Sequence, residues 1–520
     1  MRRPHRPTAM STALLAGLIL LGAAAPVQAQ DRSELGADLD AILADPGLAG
    51  ADVGLVVTTL DGEPVYRRAG ERRQQPASNA KLATSAAALE VLGPDHTFTT
   101  TVASTGRRHG PVLHGGLYLR GTGDPTMLAA DYDALAARVA RSGIRVVRGP
   151  LTADDTWFDD VRLGLSWAWD DEPYYYNAQV SALTASPDTD YDAGSVIVRV
   201  APGAAGAKAK VTTEPPTDYV RVVNTATTGA PGSANTISVD REHGSNTFTV
   251  TGSIPAGGAV TSEWMAVWEP TGYAAALFRS ALRRHGVTVL GPTTRGATPA
   301  GATELARRES MPLRELQVPF LKLSNNLHAE ILVKSMGRAS AGQGSWDAGR
   351  PVLVDALTRL GVTGRLSMAD GSGLSRMDQI SPDQLAQLLA GAADRPWFGE
   401  WYEALPIAGE PDRLVGGTLR NRMRGTAAAG VVHAKTGTLT GVTGLSGYVD
   451  TASGERWIFS MVSNNTIGVN AKAIEDKVAI RLAEEGGPVS PRVAPRGADQ
   501  RSDHAVDQET ELECSWRKAC

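Results

Sequence analysis

Residues 74–93 read QQPASNAKLATSAAALEVLG and predict a helix that begins beside a serine and a lysine. Pro76 favours a turn just before the first helical residue, and good helix formers follow it. Ser78 and Lys81 are three positions apart, so a helix brings their side chains together on one face. A serine becomes a nucleophile when a neighbouring base takes its proton, and a lysine is such a base when burial or a second cation lowers its pKa. The same spacing also occurs by chance, with Lys81 as a solvated helix residue.

A second candidate stretch is Ser324-Asn325-Asn326, at the predicted start of a helix that runs to Lys334. Serine and asparagine are favoured at helix starts because they cap free backbone N–H groups. Taken alone, the stretch is therefore also explained by capping.

The third candidate stretch is Lys435-Thr436-Gly437-Thr438, inside a predicted strand. Glycine weakens a strand interior and is typical of a place where another backbone or a ligand comes close. The alternative is a strand end that carries a surface lysine.

Length and composition indicate an ordinary globular protein. The chain has 520 residues, enough for about three domains of the usual size. Its hydrophobic content is 42% and its charged content 21%. The formal net charge of −5 and the pI near 6.0 do not favour a general affinity for nucleic acid or for anionic membranes.

Residues 1–29 are predicted to be a secretory signal peptide. Arg2, Arg3 and Arg6 make a basic start, an uncharged apolar run covers 13–25, and residues 27–29 (VQA) fit a cleavage site. The apolar run is short for a transmembrane helix, although a retained anchor is the alternative. We therefore expect an exported protein, extracellular, periplasmic or associated with the cell wall, with no integral membrane segment after signal cleavage.

The mature chain is predicted to have an α+β core. Strands at 53–57 and 64–67 form a hairpin before the helix at Ser78, and strands at 431–434, 444–450 and 456–463 precede a closing helix at 471–485. Between about 95 and 295, short strand-like runs alternate with Gly, Pro and Asp and predict a mainly β insertion, with helices at 131–141 and 273–284. Residues 486–520, with Cys514 and Cys520, are predicted to be a disordered tail.

In chain order, S-x-x-K, S-x-N and K-T-G form the signature of serine penicillin-recognising enzymes, which include DD-peptidases and β-lactamases. Lys81 and Ser324 are 243 positions apart (324 − 81 = 243). This long gap resembles that of the low-molecular-mass class C penicillin-binding proteins, the D-alanyl-D-alanine carboxypeptidases and endopeptidases of peptidase family S13. Further matching stretches are GTGDPT at 121–126, DGSGLSR at 370–376 and GTL at 417–419. His328 departs from the pattern, since the family is expected to carry a tyrosine there.

The resemblance implies a serine β-lactamase/DD-peptidase-like transpeptidase domain, an antiparallel sheet flanked by helices, with the large insertion between the first and second motifs. It implies four parts after the signal peptide. These are a penicillin-binding domain over 30–98 and 292–485, an inserted domain II over 99–127 and 208–291, a domain III nested in it over 128–207, and the tail over 486–520.

The resemblance also implies an acyl-transfer cycle. Ser78 attacks the carbonyl of the penultimate D-alanine, and Lys81 is the base that takes its proton. Ser324 and Lys435 relay a proton to the leaving nitrogen. Asn326 binds the substrate amide and holds Lys81.

The resemblance assigns substrate binding to the strand of the third motif. The side chains of Lys435, Thr436 and Thr438 would bind the terminal carboxylate of the substrate or of penicillin, with Gly437 between them. The backbone N–H groups of Ser78 and Thr438 would form the oxyanion hole. Neither a metal ion nor an organic cofactor is expected.

A pocket for the stem-peptide side chain is a further hypothesis, because residues 167–176 (WAWDDEPYYY) are unusually aromatic and acidic. Acidic groups would attract a free amino group, and aromatic rings would line its aliphatic part. The alternative is packing between the insertion and the core. By resemblance, the residues of this pocket are Trp167, Asp170, Tyr175, Ser372, Leu374, Arg376 and Leu439.

The expected partners are peptidoglycan stem peptides, with β-lactam antibiotics as covalent inhibitors. Two other functions share the motifs: a β-lactamase or related serine esterase, and a catalytically idle wall-binding protein. His433 lies close to the third motif, but no acidic partner for a Ser-His triad is evident, and we interpret it as a plain strand residue.

Overall fold

The structure, a computed structural model, describes residues 27–487, with side chains from residue 34 onward. Most of the predicted signal peptide and of the predicted tail, including Cys514 and Cys520, therefore lies outside the described residues. No helix within 27–487 is long and apolar enough to cross a membrane.

Ten α-helices lie within this part of the chain. They are α1 (Val27–Leu43), α2 (Ala80–Leu92), α3 (Ala129–Arg141), α4 (Pro270–Arg284), α5 (Leu313–Lys322), α6 (Asn326–Ala341), α7 (Trp346–Arg359), α8 (Pro382–Ala393), α9 (Phe398–Glu403) and α10 (Ala471–Ala483).

Twenty-two strands alternate with them. They are β1 (Asp52–Thr59), β2 (Pro64–Arg68), β3 (Thr99–Ser104), β4 (Arg107–His109), β5 (Val112–His114), β6 (Leu117–Gly121), β7 (Val146–Val147), β8 (Leu151–Asp154), β9 (Ser195–Ala201), β10 (Lys210–Glu214), β11 (Arg221–Asn224), β12 (Thr227–Gly229), β13 (Ser238–Arg241), β14 (Thr247–Thr251), β15 (Ser253–Pro255), β16 (Thr261–Ala266), β17 (Thr288–Val289), β18 (Thr293–Arg295), β19 (Thr303–Glu309), β20 (Val432–Leu439), β21 (Val442–Asp450) and β22 (Arg456–Asn464).

The central sheet joins the two ends of the described chain. Its strand order is β2-β1-β22-β21-β20, and every neighbouring pair is antiparallel. One face packs against α1 and α10, and the other against a larger group of helices that includes α2, α6, α7 and α8. This arrangement confirms the predicted α+β core. The strand of the third motif, β20, is an edge strand, and residues 406–408 pair with its outer side only at its first part, around His433.

The insertion contains five smaller sheets and the two predicted helices, α3 and α4. Strands β6, β8 and β18 pair in parallel, as do β5, β7 and β17, and α3 packs against α4. The sequence predicted strands here but not their parallel pairing, because parallel partners lie far apart in the chain and no hairpin turn marks them.

Strand pairing bears on how the insertion is divided. Strands β7 and β8 lie within 128–207, yet they pair with β5 and β6, while β18 and β19 lie beyond residue 291 and pair with β8 and β3. We therefore propose bounds for the two inserted units other than those expected above. Domain II would cover 99–154 and 269–309, and domain III would be nested between its two parts.

Candidate active site

Ser78 lies in a single 3-10 turn, Ala77–Asn79, directly before α2. The turn presses against the central sheet at two glycines. A Cβ on Gly437 would lie 2.8 Å from the Pro76 carbonyl oxygen and 3.1 Å from the Ser78 nitrogen, and a Cβ on Gly444 would lie 2.4 Å from Asn79 Nδ2. Gly437 therefore allows backbone contact between the strand of the third motif and the turn that carries the nucleophile, and Gly444 in β21 leaves room for the Asn79 side chain.

The first motif forms the pair that its spacing predicts. Lys81 Nζ donates to Ser78 Oγ at 2.8 Å and to the carbonyl oxygen of Ser372 at 2.8 Å. Lys81 is completely buried. An amine in this position can take the serine proton once it is neutral.

The second motif lies at the junction between α5 and α6. Ser324 adopts a left-handed backbone conformation, with φ of +62°, which costs a non-glycine residue on the order of 1–3 kcal/mol. Lys435 Nζ, completely buried in β20, donates to Ser324 Oγ at 2.8 Å and to the Thr436 carbonyl oxygen at 2.9 Å. The strained serine thus meets the lysine of the third motif.

Asn326 is the first residue of α6, and its Nδ2 donates to the Tyr176 carbonyl oxygen at 2.7 Å. This contact ties the second motif to the aromatic segment of the insertion. Its predicted contact with Lys81 stays a prediction.

Both serines open onto one cleft of about 620 Å³, a volume that includes space open to solvent. Seven of the predicted site residues line it. They are Ser78, Tyr175, Ser324, Asn326, Leu374, Thr438 and Leu439.

The threonines of the third motif differ in their partners. Thr436 Oγ1 donates to Thr418 Oγ1 at 2.8 Å, which ties the motif to the GTL stretch. Thr438 Oγ1 is buried and has no hydrogen-bond partner among the described residues. A buried hydroxyl without a protein partner at the wall of a cleft is suited to a ligand oxygen, because leaving it unpaired costs free energy.

Four predicted pocket residues do not line the cleft. Trp167 Nε1 donates to Asp370 at 2.8 Å, Asp170 is exposed, and Ser372 is buried. Arg376 Nη1 donates to Gln75 Oε1 at 3.2 Å and to the Thr440 carbonyl oxygen at 3.1 Å.

Two carboxylates line the cleft, Asp192 and Asp171, and Asp171 is next to the residue chosen from the resemblance. Tyr176 Oη donates to Asp171 Oδ1 at 2.9 Å, and partial burial raises the pKa of this carboxyl while Arg376 acts against the rise. The sequence offered two adjacent aspartates, and the conformation of the short turn Trp169–Asp171 decides which of them faces inward.

Sequence reasoning also missed Tyr191 and Gly373 at the cleft. His328, the departure from the family pattern, is buried behind Tyr191, and its Nε2 lies 2.9 Å from the Tyr191 carbonyl oxygen. Burial lowers the pKa of His328 to about 4, so the ring is neutral at pH 7. His433 stacks on the Tyr402 ring, with centroids 4.1 Å apart.

Comparisons with known proteins agree with this geometry. The family model described as "D-Ala-D-Ala carboxypeptidase 3 (S13) family" matches residues 35–485. The chain is 49% identical to a D-alanyl-D-alanine carboxypeptidase of Actinomadura sp. (strain R39), over 99% of this chain and 96% of that protein. It is 27% identical to the D-alanyl-D-alanine carboxypeptidase DacB of Haemophilus influenzae, over 80% of this chain and 86% of that protein.

Solved structures give the same result. Penicillin binding protein 4 (dacB) from Haemophilus influenzae superposes with a TM-score of 0.73 at 25% identity, covering 86% of this chain and 98% of that chain. This likeness confirms the predicted DD-peptidase fold. With three ordered motifs at one cleft and a family match over most of its length, the chain belongs to the D-Ala-D-Ala carboxypeptidase 3 (S13) family.

Proposed function

We propose that the protein is a serine-type D-Ala-D-Ala carboxypeptidase and DD-endopeptidase that acts on peptidoglycan stem peptides through an acyl-enzyme. The observation that carries the proposal is the pair of lysine–serine hydrogen bonds, each 2.8 Å long, whose serines open onto one cleft. The name of the 49% identical relative, D-alanyl-D-alanine carboxypeptidase, supports the substrate class.

Acylation begins when Ser78 Oγ attacks the carbonyl carbon of the penultimate D-alanine and Lys81 Nζ takes the serine proton. The backbone N–H groups of Ser78 and Thr438 bind the oxyanion that forms, a contribution of about 100- to 1000-fold in rate per donor. The C–N bond then breaks, and Lys435 supplies a proton through Ser324 to the departing amine. The products are the acyl-enzyme and free D-alanine, or a released stem if the substrate is cross-linked.

Deacylation reverses these roles. Once the proton on Lys81 has passed back through Ser324 to Lys435, a water molecule gives a proton to the neutral Lys81 and attacks the ester carbonyl, and Lys81 returns that proton to Ser78 Oγ as the ester C–O bond breaks. During acylation the substrate carboxylate is held by Lys435 and by the hydroxyls of Thr436 and Thr438. The unpartnered Thr438 Oγ1 supports this assignment, because a carboxylate oxygen would complete its hydrogen bonding.

The same serine opens the ring of a β-lactam, but the leaving nitrogen stays tethered in the adduct and blocks the return path of water. A carboxypeptidase of this kind therefore keeps its adduct for a long time, whereas a β-lactamase releases it quickly. The lifetime of a fluorescent penicillin adduct separates the two functions.

The test of the main proposal uses the protein without its first 29 residues. Incubation with a stem pentapeptide is expected to release D-alanine, and a cross-linked dimer is expected to give monomers, both identified by mass. The variant S78A is expected to be inactive on both substrates. S335A is the matched control, since Ser335 is buried in α6 and its hydroxyl has no partner among the described residues. If neither substrate is cleaved, or if S78A retains activity, the proposal fails.

For the stem-peptide side chain we propose a pocket formed by Tyr175, Leu374 and Leu439, with Asp170 or Asp171 for a free amino group and Arg376 for a carboxylate. Trp167 and Ser372 would support its walls. This set favours a stem with an amino acid that carries both charges, as in diaminopimelate. If D170N, D171N and R376Q all leave the preference for a stem peptide over a simple acyl-D-Ala-D-Ala peptide unchanged, the pocket lies elsewhere.

We also propose that the protein acts at the cell wall after export directed by residues 1–29. The basic start and the short apolar run support export. Mass measurement of the secreted protein is expected to show an N-terminus at Gln30.

A further inference from the structure

A loop that packs against α2 and reaches the wall of the cleft supports the reactive lysine. The Ser372 carbonyl oxygen accepts a hydrogen bond from Lys81 Nζ at 2.8 Å, and the Gly371 carbonyl oxygen accepts one from Thr84 Oγ1 at 2.7 Å. Residues 369–376, here called the support loop, therefore contact α2 at Lys81 and at Thr84. Any shift of the loop changes the second contact of Lys81.

The support loop leaves little room for such a shift. A Cβ on Gly371 would lie 2.6 Å from Val333 Cγ2 in α6, and a Cβ on Gly373 would lie 1.9 Å from the carbonyl oxygen of Ala77. The loop is therefore wedged between α6 and the turn that carries the nucleophile. A change in the conformation of the loop would therefore displace Lys81 or the turn that carries Ser78.

One buried carboxylate holds the loop in this place. Glu330, completely buried in α6, accepts hydrogen bonds from Ser372 N at 2.8 Å and from Gly371 N at 3.0 Å. Its third donor is Trp346 Nε1 of α7, at 2.7 Å. Glu330 also lies one helical turn after Asn326 of the second motif, so α6 supplies both a cleft residue and the anchor behind it.

We propose that Glu330 is a positioning residue for the acyl-transfer reaction, which fixes the Gly371–Ser372 peptide and thereby orients the Ser372 carbonyl oxygen toward Lys81. The proposal rests on the proposed function, because it assigns Lys81 the role of the base. Glu330 itself does not touch the substrate.

The charges around Glu330 make this support depend on pH. Asp370 faces it from the support loop, Asp378 from the segment just after that loop, and Lys334 from α6. Burial, followed by the charge of Asp370, raises the pKa of Glu330 to about 7. Two carboxylate oxygens serve three N–H donors, so protonation replaces an acceptor by a donor and weakens the hold on the loop.

The variant Glu330→Gln tests the proposal, because the amide keeps the size of the side chain but leaves one acceptor oxygen for the three donors. We expect the second-order rate constant of acylation by a fluorescent penicillin to fall about 10- to 100-fold, with a fall in kcat rather than a rise in KM for peptide hydrolysis. Trp346→Phe is the matched control. It removes one donor to the same carboxylate, leaves both loop contacts, and is expected to change acylation by less than about threefold.

If E330Q does not fold, a measurement that leaves Glu330 in place decides the case. The fluorescence difference between wild type and W346F reports the Trp346 indole, whose N–H donates to Glu330. We expect this signal to titrate near pH 7, and the acylation rate to fall on the acid side with a component at the same midpoint.

The outcomes separate the two proposals. A wild-type protein that penicillin does not acylate contradicts the proposed function. A folded E330Q that is acylated as fast as W346F, or a wild-type acylation rate that stays constant through the Trp346 titration, contradicts only the positioning role of Glu330.

Discussion

Two lysine–serine pairs lie at one cleft, each joined by a hydrogen bond of the same length. One pair forms between neighbours in the sequence, and the other forms between distant parts of the chain. Lys81 and Ser78 are three positions apart and meet within one turn at the start of α2. Lys435 and Ser324 are 111 positions apart and meet only because an edge strand passes the α5–α6 junction, where Ser324 takes a left-handed conformation. The geometry of the local pair, Ser78 and Lys81, thus depends on one helix turn and the support loop. The geometry of the distant pair, Ser324 and Lys435, depends on the packing of the whole core domain.

The largest effect should come from replacing the two lysines. Both are fully buried, so methionine keeps most of their volume. Lys81→Met removes the base, and we expect acylation by penicillin to slow by about 10³-fold or more. Lys435→Met leaves the local pair intact, and we expect a loss of about 100- to 1000-fold. Stopped-flow measurement of the acylation rate constants of the two variants, at equal folded fraction, gives the comparison. Equal losses of rate in both variants would mean that the local pair has no separate role.

Gly437→Ala tests the backbone contact that joins the two pairs. The added methyl would lie 2.8 Å from the Pro76 carbonyl oxygen and must push the Ser78 turn away from β20. A misplacement near 1 Å is expected to cost about 100-fold in kcat/KM. Gly399→Ala in α9 is the control, since nothing lies within 4 Å of its Cβ position. Activity of G437A within twofold of G399A would show that the turn can shift without loss.

Thr438→Val separates substrate binding from stability within the third motif. The Thr438 hydroxyl is buried without a partner among the described residues, so its removal should not lower the melting temperature. We expect the rate constant for acylation to fall about tenfold, the typical effect of one lost hydrogen bond to a charged group. Thr436→Val, which also breaks the contact with Thr418, should lower both quantities. A lower melting temperature for T438V would mean that its hydroxyl has a structural partner.

The smallest effect on activity is expected at His328, on the buried side of α6. Its folded pKa of about 4 lies below the usual value of 6.5, so its contribution to stability is present above pH 6.5 and is lost as the pH falls toward 4. The wild type should lose on the order of 1–2 kcal/mol of unfolding free energy through this residue between pH 7 and pH 5. His328→Gln should lack that loss in urea titrations at the two pH values. An equal pH dependence of both proteins would contradict the assignment.

Much of the site was predictable because the residue spacing within a short motif determines which of its side chains can meet. The spacing of Ser78 and Lys81 predicts their contact, and the turn at 452–455 marks the hairpin of the two strands that follow Lys435. The support loop was noted only as a family motif, because its partner Glu330 looks like any charged helix residue in the sequence. Asp171 was missed for a related reason: two adjacent aspartates cannot be ranked until the turn that carries them is known.

Hydrophobic periodicity and short residue spacings are enough to predict the α+β core and the contact between Ser78 and Lys81. Three other features follow only from the folded chain: Ser324 meets Lys435, β20 is an edge strand, and Glu330 holds the loop that contacts Lys81. Such contacts join residues from distant parts of the chain. They form only when burial of the shared core compensates for the entropy lost in bringing those parts together.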